Sequence, residues 1–422
     1  MNMQTPITHT AAEEGLIAAL GRTEGKARDA AVKALAAIEK AGLPTRRVEA
    51  WHYTDLRNLL REYPQPPRAI QSEFSSESLV DLPPLVDGYT LGFSNTFHVI
   101  GYLADMPDGL SGTVGEDAIA STHGVEIEAD TIGALNAGLA ETGVNLSVEA
   151  GADLAEPVIL AHTCADETAS NLRHSVRVGQ GAKATFIERH HSSITGNFQN
   201  VVCNLVIEKG AKAVWLIDQE LGVETTRLGQ LNVELGADAD LTILIFNAGG
   251  KLVRQEVHVA VNGENANLAI KGVNLVGDDS HIDVTTTLAH NVPETTATEL
   301  FRNVVPGSGR GVFQGQIRVA QPAQKTDAQM ACNTLLLSDE ADFSAKPELE
   351  IFADDVVCAH GATVADIEEE QLFYLRARGI RERDARALLV KAFVEEVFED
   401  IGNEALSEAL IGRIESWLDF NG

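Results

Sequence analysis

Cys358 and His360 stand two residues apart in the stretch DDVVCAHGAT, residues 354–363. On a strand, side chains at i and i+2 share a face, so this thiol and this imidazole can reach one centre. Thiolate and imidazole suit soft or borderline metals, iron in sulfide clusters among them. Zinc and iron–sulfur sites normally take four ligands, so two ligands make an incomplete site. On chemistry alone two readings stay open: a buried cysteine beside a strand-end histidine, or a metal site that is incomplete or shared. Cys332, in MACNTLLL, is a third soft-ligand candidate upstream.

Other chemistries fail on inspection of the sequence. It contains no G-x-x-x-x-G-K-[ST], so it lacks the backbone cradle and lysine of a P-loop ATPase. H-E-x-x-H and G-x-S-x-G are also absent. GSGRG, residues 307–311, is flanked by β-like text and reads as a plain turn. His190 and His191 are adjacent on a strand and point to opposite faces, so both cannot ligate one ion from inside. They read as surface or strand-end histidines. GDDSHID, residues 277–283, resembles the acidic clusters of β-helix enzymes acting on carbohydrate, which are usually secreted.

The chain around these residues is 422 residues long, 44% hydrophobic and 22% charged, with a formal net charge of -30. That charge repels phosphate backbones and anionic lipid, so nucleic acid and membrane are poor partners. The opening MNMQTPITHTAAEEG lacks a signal peptide's basic start and apolar run, and no stretch is apolar for the eighteen or so residues a span requires. Four scattered cysteines, Cys164, Cys203, Cys332 and Cys358, do not make a disulfide framework. A cytoplasmic, reducing location is expected.

The positioning elements emerge from a repeat. LSVEAGADL, VRVGQGAKA, LVIEKGAKA and LNVELGADA begin at Leu146, Val176, Leu205 and Leu231, with a looser VAVNGENAN at Val259. Each reads apolar–x–apolar, then glycine, then small polar residues; the glycines are Gly151, Gly181, Gly210, Gly236 and Gly263. Alternation makes a half-buried strand, and glycine supplies the positive φ of a tight turn. One such unit cannot bury its apolar face alone, whereas stacked units of about 26–30 residues can. The expected fold is mainly β, a right-handed parallel β-helix between helical flanks. A β-sandwich of hairpins is the alternative.

Residues 11–41 read as helix with stops at Gly42 and Pro44, and Pro-rich text such as EYPQPPR and DLPPL follows. Three C-terminal helices are expected over 367–378, 382–400 and 404–420. In the last, Leu406, Leu410, Ile414 and Trp417 form one apolar stripe, suited to packing on other tail helices or to a partner's groove. The expected division is a helical or mixed cap domain at 1–135, the β-helix at 136–364 and a separable helical domain at 365–422. The first domain is expected to cap one end of the stack. DDVVCAHGAT lies at the other end, where strand text gives way to helix.

KPELEIFADDVVCAHGATV (346–364) with EEEQLFYLRARGI (368–380) resembles the C-terminal signature of the SufB/SufD family of iron–sulfur cluster assembly scaffolds. GLPTRRVEAWHYTDLR (42–57) looks like the N-terminal signature of its SufD branch, and residues 134–160 are similar to the family's entry into its β-helix. The resemblance implies a non-catalytic scaffold that pairs with SufB through the C-terminal end of the β-helix. It implies docking of a SufC ATPase on the C-terminal helices, with SufS and a sulfur-carrier protein acting indirectly. It further implies that His360 faces SufB's cluster-assembling residues, with Cys358 beside it and Cys332 a weaker match. Iron or a transient iron–sulfur cluster would then sit at the junction rather than on the isolated chain; the sequence leaves open whether a flavin binds the complex. Lacking SufB, the exposed sheet end is expected to form a homodimer. A carbohydrate-active β-helix enzyme and a purely structural support for SufB are the alternative functions.

Overall fold

A computed structural model describes residues 7–64, 85–94, 97–100, 106–115, 127, 129–140, 142–164, 167–192, 196–398, 401 and 403–421. EYPQPPR and DLPPL fall largely outside these residues. The strands between Tyr89 and Asp366 form two sheets of ten and nine strands, and from Val144 onward the chain alternates between them. Apart from one antiparallel pair at the N-terminal end of each sheet, successive strands of each sheet pair in parallel, so each turn contributes one strand to each sheet: a parallel β-solenoid. Most strands are ten residues long and point every second side chain inward. Leu231, Val233 and Leu235 face Leu241, Ile243 and Ile245 in one interior cluster, where Phe186 also stacks on Trp215 at 5.3 Å.

The turn glycines were only partly legible. Gly151, Gly181 and Gly210 take positive φ of 74°, 67° and 67°. Gly236 and Gly263 do not. The register sets Leu235 beside Ile207, which moves the left-handed slot two residues on, to Asp238 and then Asn265, with φ of 56° and 59°. Asp and Asn tolerate this conformation because their short polar side chains bond locally. The same slot continues through Glu294 and Lys325, whose side chains pair at 2.9 Å. Glycine spacing therefore loses the repeat near residue 263 while the solenoid runs on for four more strands of the ten-stranded sheet and three of the other.

Inside, side chains at one register position form a ladder. Asn247 donates to Asn274 at 2.7 Å, Asn274 to Asn303 at 2.7 Å, and Asn303 to Thr334 at 3.1 Å. A buried amide requires a partner, and the stack supplies one each turn, an identical amide twice and then a threonine hydroxyl.

The helices flank the solenoid's faces. Helices Ala11–Arg22, Arg28–Ala41 and Thr131–Leu139 pack on the outer side of the nine-stranded sheet against Phe198, Val202, Leu228 and Leu252. The helical part of the N-terminal region is thus a lateral layer where an end cap was expected. A sheet face ten residues wide buries several amphipathic stripes, which the narrow end of a stack cannot do. The expected boundary at 135/136 falls within helix Thr131–Leu139, and strands Tyr89–Ser94 and Leu110–Val114 already belong to the sheets. The WHYT stretch pins this layer down. Trp51 is fully buried with the Arg254 guanidinium 4.0 Å from its ring centroid. Arg254 pairs with Asp283 and with Glu256 at 2.8 Å, and Thr54 meets His281 at 2.8 Å.

The tail helices Glu382–Glu395 and Glu404–Asn421 cover the outer side of the ten-stranded sheet. Leu406, Leu410 and Ile414 are fully buried there among Ile187, Leu216, Leu244 and Phe246, with Trp417 at the margin. Arg413 clamps the layer through Asp218 at 3.0 Å. The stripe is a packing surface for the solenoid itself, so removing the tail would expose an apolar sheet face. Among the described residues no helix is long and apolar enough to cross a membrane.

Candidate functional site

Strand Val357–Asp366 ends the ten-stranded sheet and Asp342–Ile351 ends the other. Register sets Cys358 beside Ala328, His360 beside Met330 and Ala362 beside Cys332. Ala328, Met330 and Cys332 belong to the interior cluster, so Cys358 and His360 share the inward parity, as their i, i+2 spacing predicts. The inward residues of the last turn have no further turn above them among the described residues. Cys358 is therefore half-buried and His360 exposed, and the inward-parity Ile351 and Val364 are 39% and 45% exposed. Among the described residues both end strands have a neighbour on one side only, which leaves backbone donors and acceptors at the sheet edge.

Cys332 lies one turn below and is only 1% exposed. Burial pushes its thiol pKa up to about 12, against a hydrogen bond donated by the Asn303 side-chain amide at 3.3 Å and the nearby Arg302 charge. Burial also raises the Cys358 thiol, opposed by a backbone hydrogen bond from Ala328. Both are thiols at neutral pH and must lose a proton before ligating a metal. The structure thus brings Cys358 and His360 together on one exposed surface and keeps Cys332 beneath it. Among the described residues no three of His, Cys, Asp and Glu are grouped to hold a metal ion.

The structure also reveals groups that motif reading missed. Glu299 registers with Met330, hence directly below the column of His360. It is 1% exposed, accepts from Thr286 at 2.7 Å through one oxygen, and has no partner for the other. Burial raises its carboxyl to about 7. Only the column register could have found it. At the far end of the interior, His190 is fully buried, contrary to the expected surface histidine. It stacks on His162 at 4.4 Å and bonds Glu188 at 2.7 Å, because inward parity carries it into the core. His191 takes the opposite face and stays partly exposed, as adjacency predicts.

The carbohydrate-enzyme reading loses its carboxylates. Asp278 accepts from the Ser308 amide at 2.8 Å, Asp279 pairs with Lys251, and Asp283 with Arg254. GSGRG forms a turn with Gly307 at φ 55°. A cleft of about 1310 Å³ between Arg46–Pro64 and the solenoid edge is lined by neither Cys358 nor His360.

Residues 161–393 match the family described as SUF system FeS cluster assembly, SufBD core domain. The chain belongs to the SufB/SufD family. It is 33% identical over 393 residues to the iron–sulfur cluster assembly protein SufD of Escherichia coli, covering 89% of each chain. It is 27% identical to Protein ABCI7, chloroplastic, of Arabidopsis thaliana, covering 89% of this chain and 82% of that one. An iron–sulfur cluster assembly SufBD family protein of Synechocystis is 26% identical, with 85% and 84% covered. A role in iron–sulfur cluster assembly follows from this membership. The SufBD match spans the last turn and helix Glu369–Ala377, so it includes the strand that carries Cys358 and His360.

Proposed function

We propose that this chain is a non-catalytic scaffold that supplies half of a shared cluster-assembly site. The observation that carries this reading is the uncovered last turn, with Cys358 and His360 at its surface and two free strand edges around them. A second solenoid end laid against it would pair those edges and add the missing ligands. The family resemblance names SufB as that partner. Iron and sulfide are then the substrates of the junction, held by neutral imidazole and deprotonated thiol, and the isolated chain holds neither tightly. None of its four cysteines is in a disulfide, in keeping with the reducing cytoplasm this reading places it in.

SufC docks, in this reading, on the exposed part of the tail. Phe373 and Tyr374 on helix Glu369–Ala377 are 72% and 55% exposed, and Leu388 on the next helix is 48% exposed. These replace Leu406, Leu410 and Ile414, whose side chains are occupied by the solenoid. Two residues separate this helix from the strand of His360, so motion of SufC would be felt at the junction. The test is co-expression with SufB and SufC, followed by iron and sulfide analysis of the purified assembly. A stable complex that gains both under reducing conditions is expected. A chain that never co-purifies with SufB refutes the reading.

A further inference from the structure

The last turn differs in charge from the one beneath it. Residues 338–371 contain SDEAD, PELE, DD and ADIEEE: eleven acidic side chains, against Lys346 as the one Lys or Arg. Ten of the eleven are exposed, and Lys346 is already held by Glu49 and by Glu348 at 3.1 Å. The turn below, residues 310–337, holds Arg310, Arg318 and Lys325 against Asp327 alone. About a third of the chain's net charge therefore encircles one end. Inside that acidic ring the floor is apolar, with Ile351 and Val364 on the inward parity beside Cys358 and His360. An apolar centre within a charged rim is the anatomy of a docking surface, and its rim charges set partner choice and encounter rate more than affinity.

Symmetry sharpens the consequence. Two copies pairing end to end form an isologous contact, in which the same patch meets itself. Each acidic ring would then face an identical ring across the junction, with like charges opposed. A partner whose matching end carries basic residues meets attraction in the same place. We propose that the acidic rim of the last turn disfavours pairing with a second copy of this chain and favours a partner whose solenoid end is basic. Self-association through the free edges then becomes salt-dependent: suppressed at low ionic strength and restored as salt screens the rims. Screening is strong on this scale, since the Debye length falls from about 30 Å at 0.01 M salt to about 3 Å at 1 M. This inference rests on the open end being the docking surface.

The experiment is sedimentation velocity of the full chain at 20 mM and 500 mM NaCl, alongside an E350Q/D354N/D355N variant. Those three positions lie on the rim and away from helix Glu369–Ala377. The wild-type dimer dissociation constant is expected to be at least tenfold weaker at low salt. The variant should dimerise at low salt and change less than threefold. The association rate with SufB should fall about tenfold for wild type across the same range. Wild-type dimerisation that is equal or stronger at low salt, or a SufB rate that ignores salt, overturns the proposal. A second variant, I351R/V364R, tests the surface itself and should abolish both pairings. If it leaves SufB pairing intact, the open-end reading fails; if it abolishes pairing while salt has no effect, only the rim proposal fails.

Discussion

At its N-terminal end the solenoid turns strands back antiparallel and pairs its interior polar groups with each other. At its C-terminal end it stops at free parallel edges with His360 exposed and Cys358 half-buried. Near the first end His174 accepts from the Val144 amide, which leaves its other nitrogen to donate to His162 at 2.9 Å. Arg227, Glu188 and His190 close a buried cluster beside them. The same inward parity that carries His190 into a satisfied core carries His360 to an uncovered surface. Residue type alone does not separate a structural histidine from a functional one; the presence of another turn above it does.

Acid should expose the closed end first. Burial drives His162 and His190 well below the usual histidine range and His174 to about 4. The unfolded chain takes up protons near pH 6.5 and the folded one resists. Stability is therefore present above that pH and lost as pH falls from there toward 4, by about 1.4 kcal/mol per unit per histidine at most. Urea midpoints should drop steeply between pH 7 and pH 5, with the His162–His174–His190 region losing amide protection early. A flat midpoint over that range would contradict the neutral histidine stack.

Arg227→Ala leaves the buried Glu188 without its cation and should cost about 3–5 kcal/mol. Calorimetry of this variant beside His360→Ala makes the comparison direct, because the open-end change should leave the melting temperature unaltered. Equal losses in the two variants would erase the distinction between the ends.

Glu299, between them in the stack, should act in the opposite sense to the histidines. Its carboxyl is raised to about 7 from 4.5, so its penalty is absent below pH 4.5 and grows until pH passes about 7. Glu299→Gln should therefore stabilise by about 2–3 kcal/mol at pH 8 and have no effect at pH 4.5. Destabilisation at pH 8 would mean that the ionised carboxylate has a partner. Cys332→Ala, a buried thiol one turn below the surface, should cost about 1 kcal/mol. Loss of iron and sulfide from the assembled complex in that variant, with stability otherwise intact, would instead make Cys332 a ligand.

The strand alternation of Val176 and Val178 and the turns at Gly151, Gly181 and Gly210 made the stacked fold legible in the sequence. The repeat faded where Asp238, Asn265, Glu294 and Lys325 take over the left-handed slot, because non-glycine residues there carry no compositional mark. The stripe Leu406–Leu410–Ile414 was legible as a buried face, but its partner was not. Helical periodicity records that a face is covered, never by what. Cys358 and His360 were legible as one pair from spacing, whereas Glu299 needed the register of three turns to place it beneath them.

The most direct test of a shared site uses His360→Ala and Cys358→Ala in the rebuilt complex with SufB and SufC. Iron and sulfide per complex are measured beside the melting temperature of each assembly. His360→Ala should leave folding and SufB pairing intact and lose most of the cluster, because alanine removes both ring nitrogens; Cys358→Ala should lose less. Wild-type iron and sulfide in the His360→Ala complex would contradict the account and leave this end of the solenoid as a structural contact.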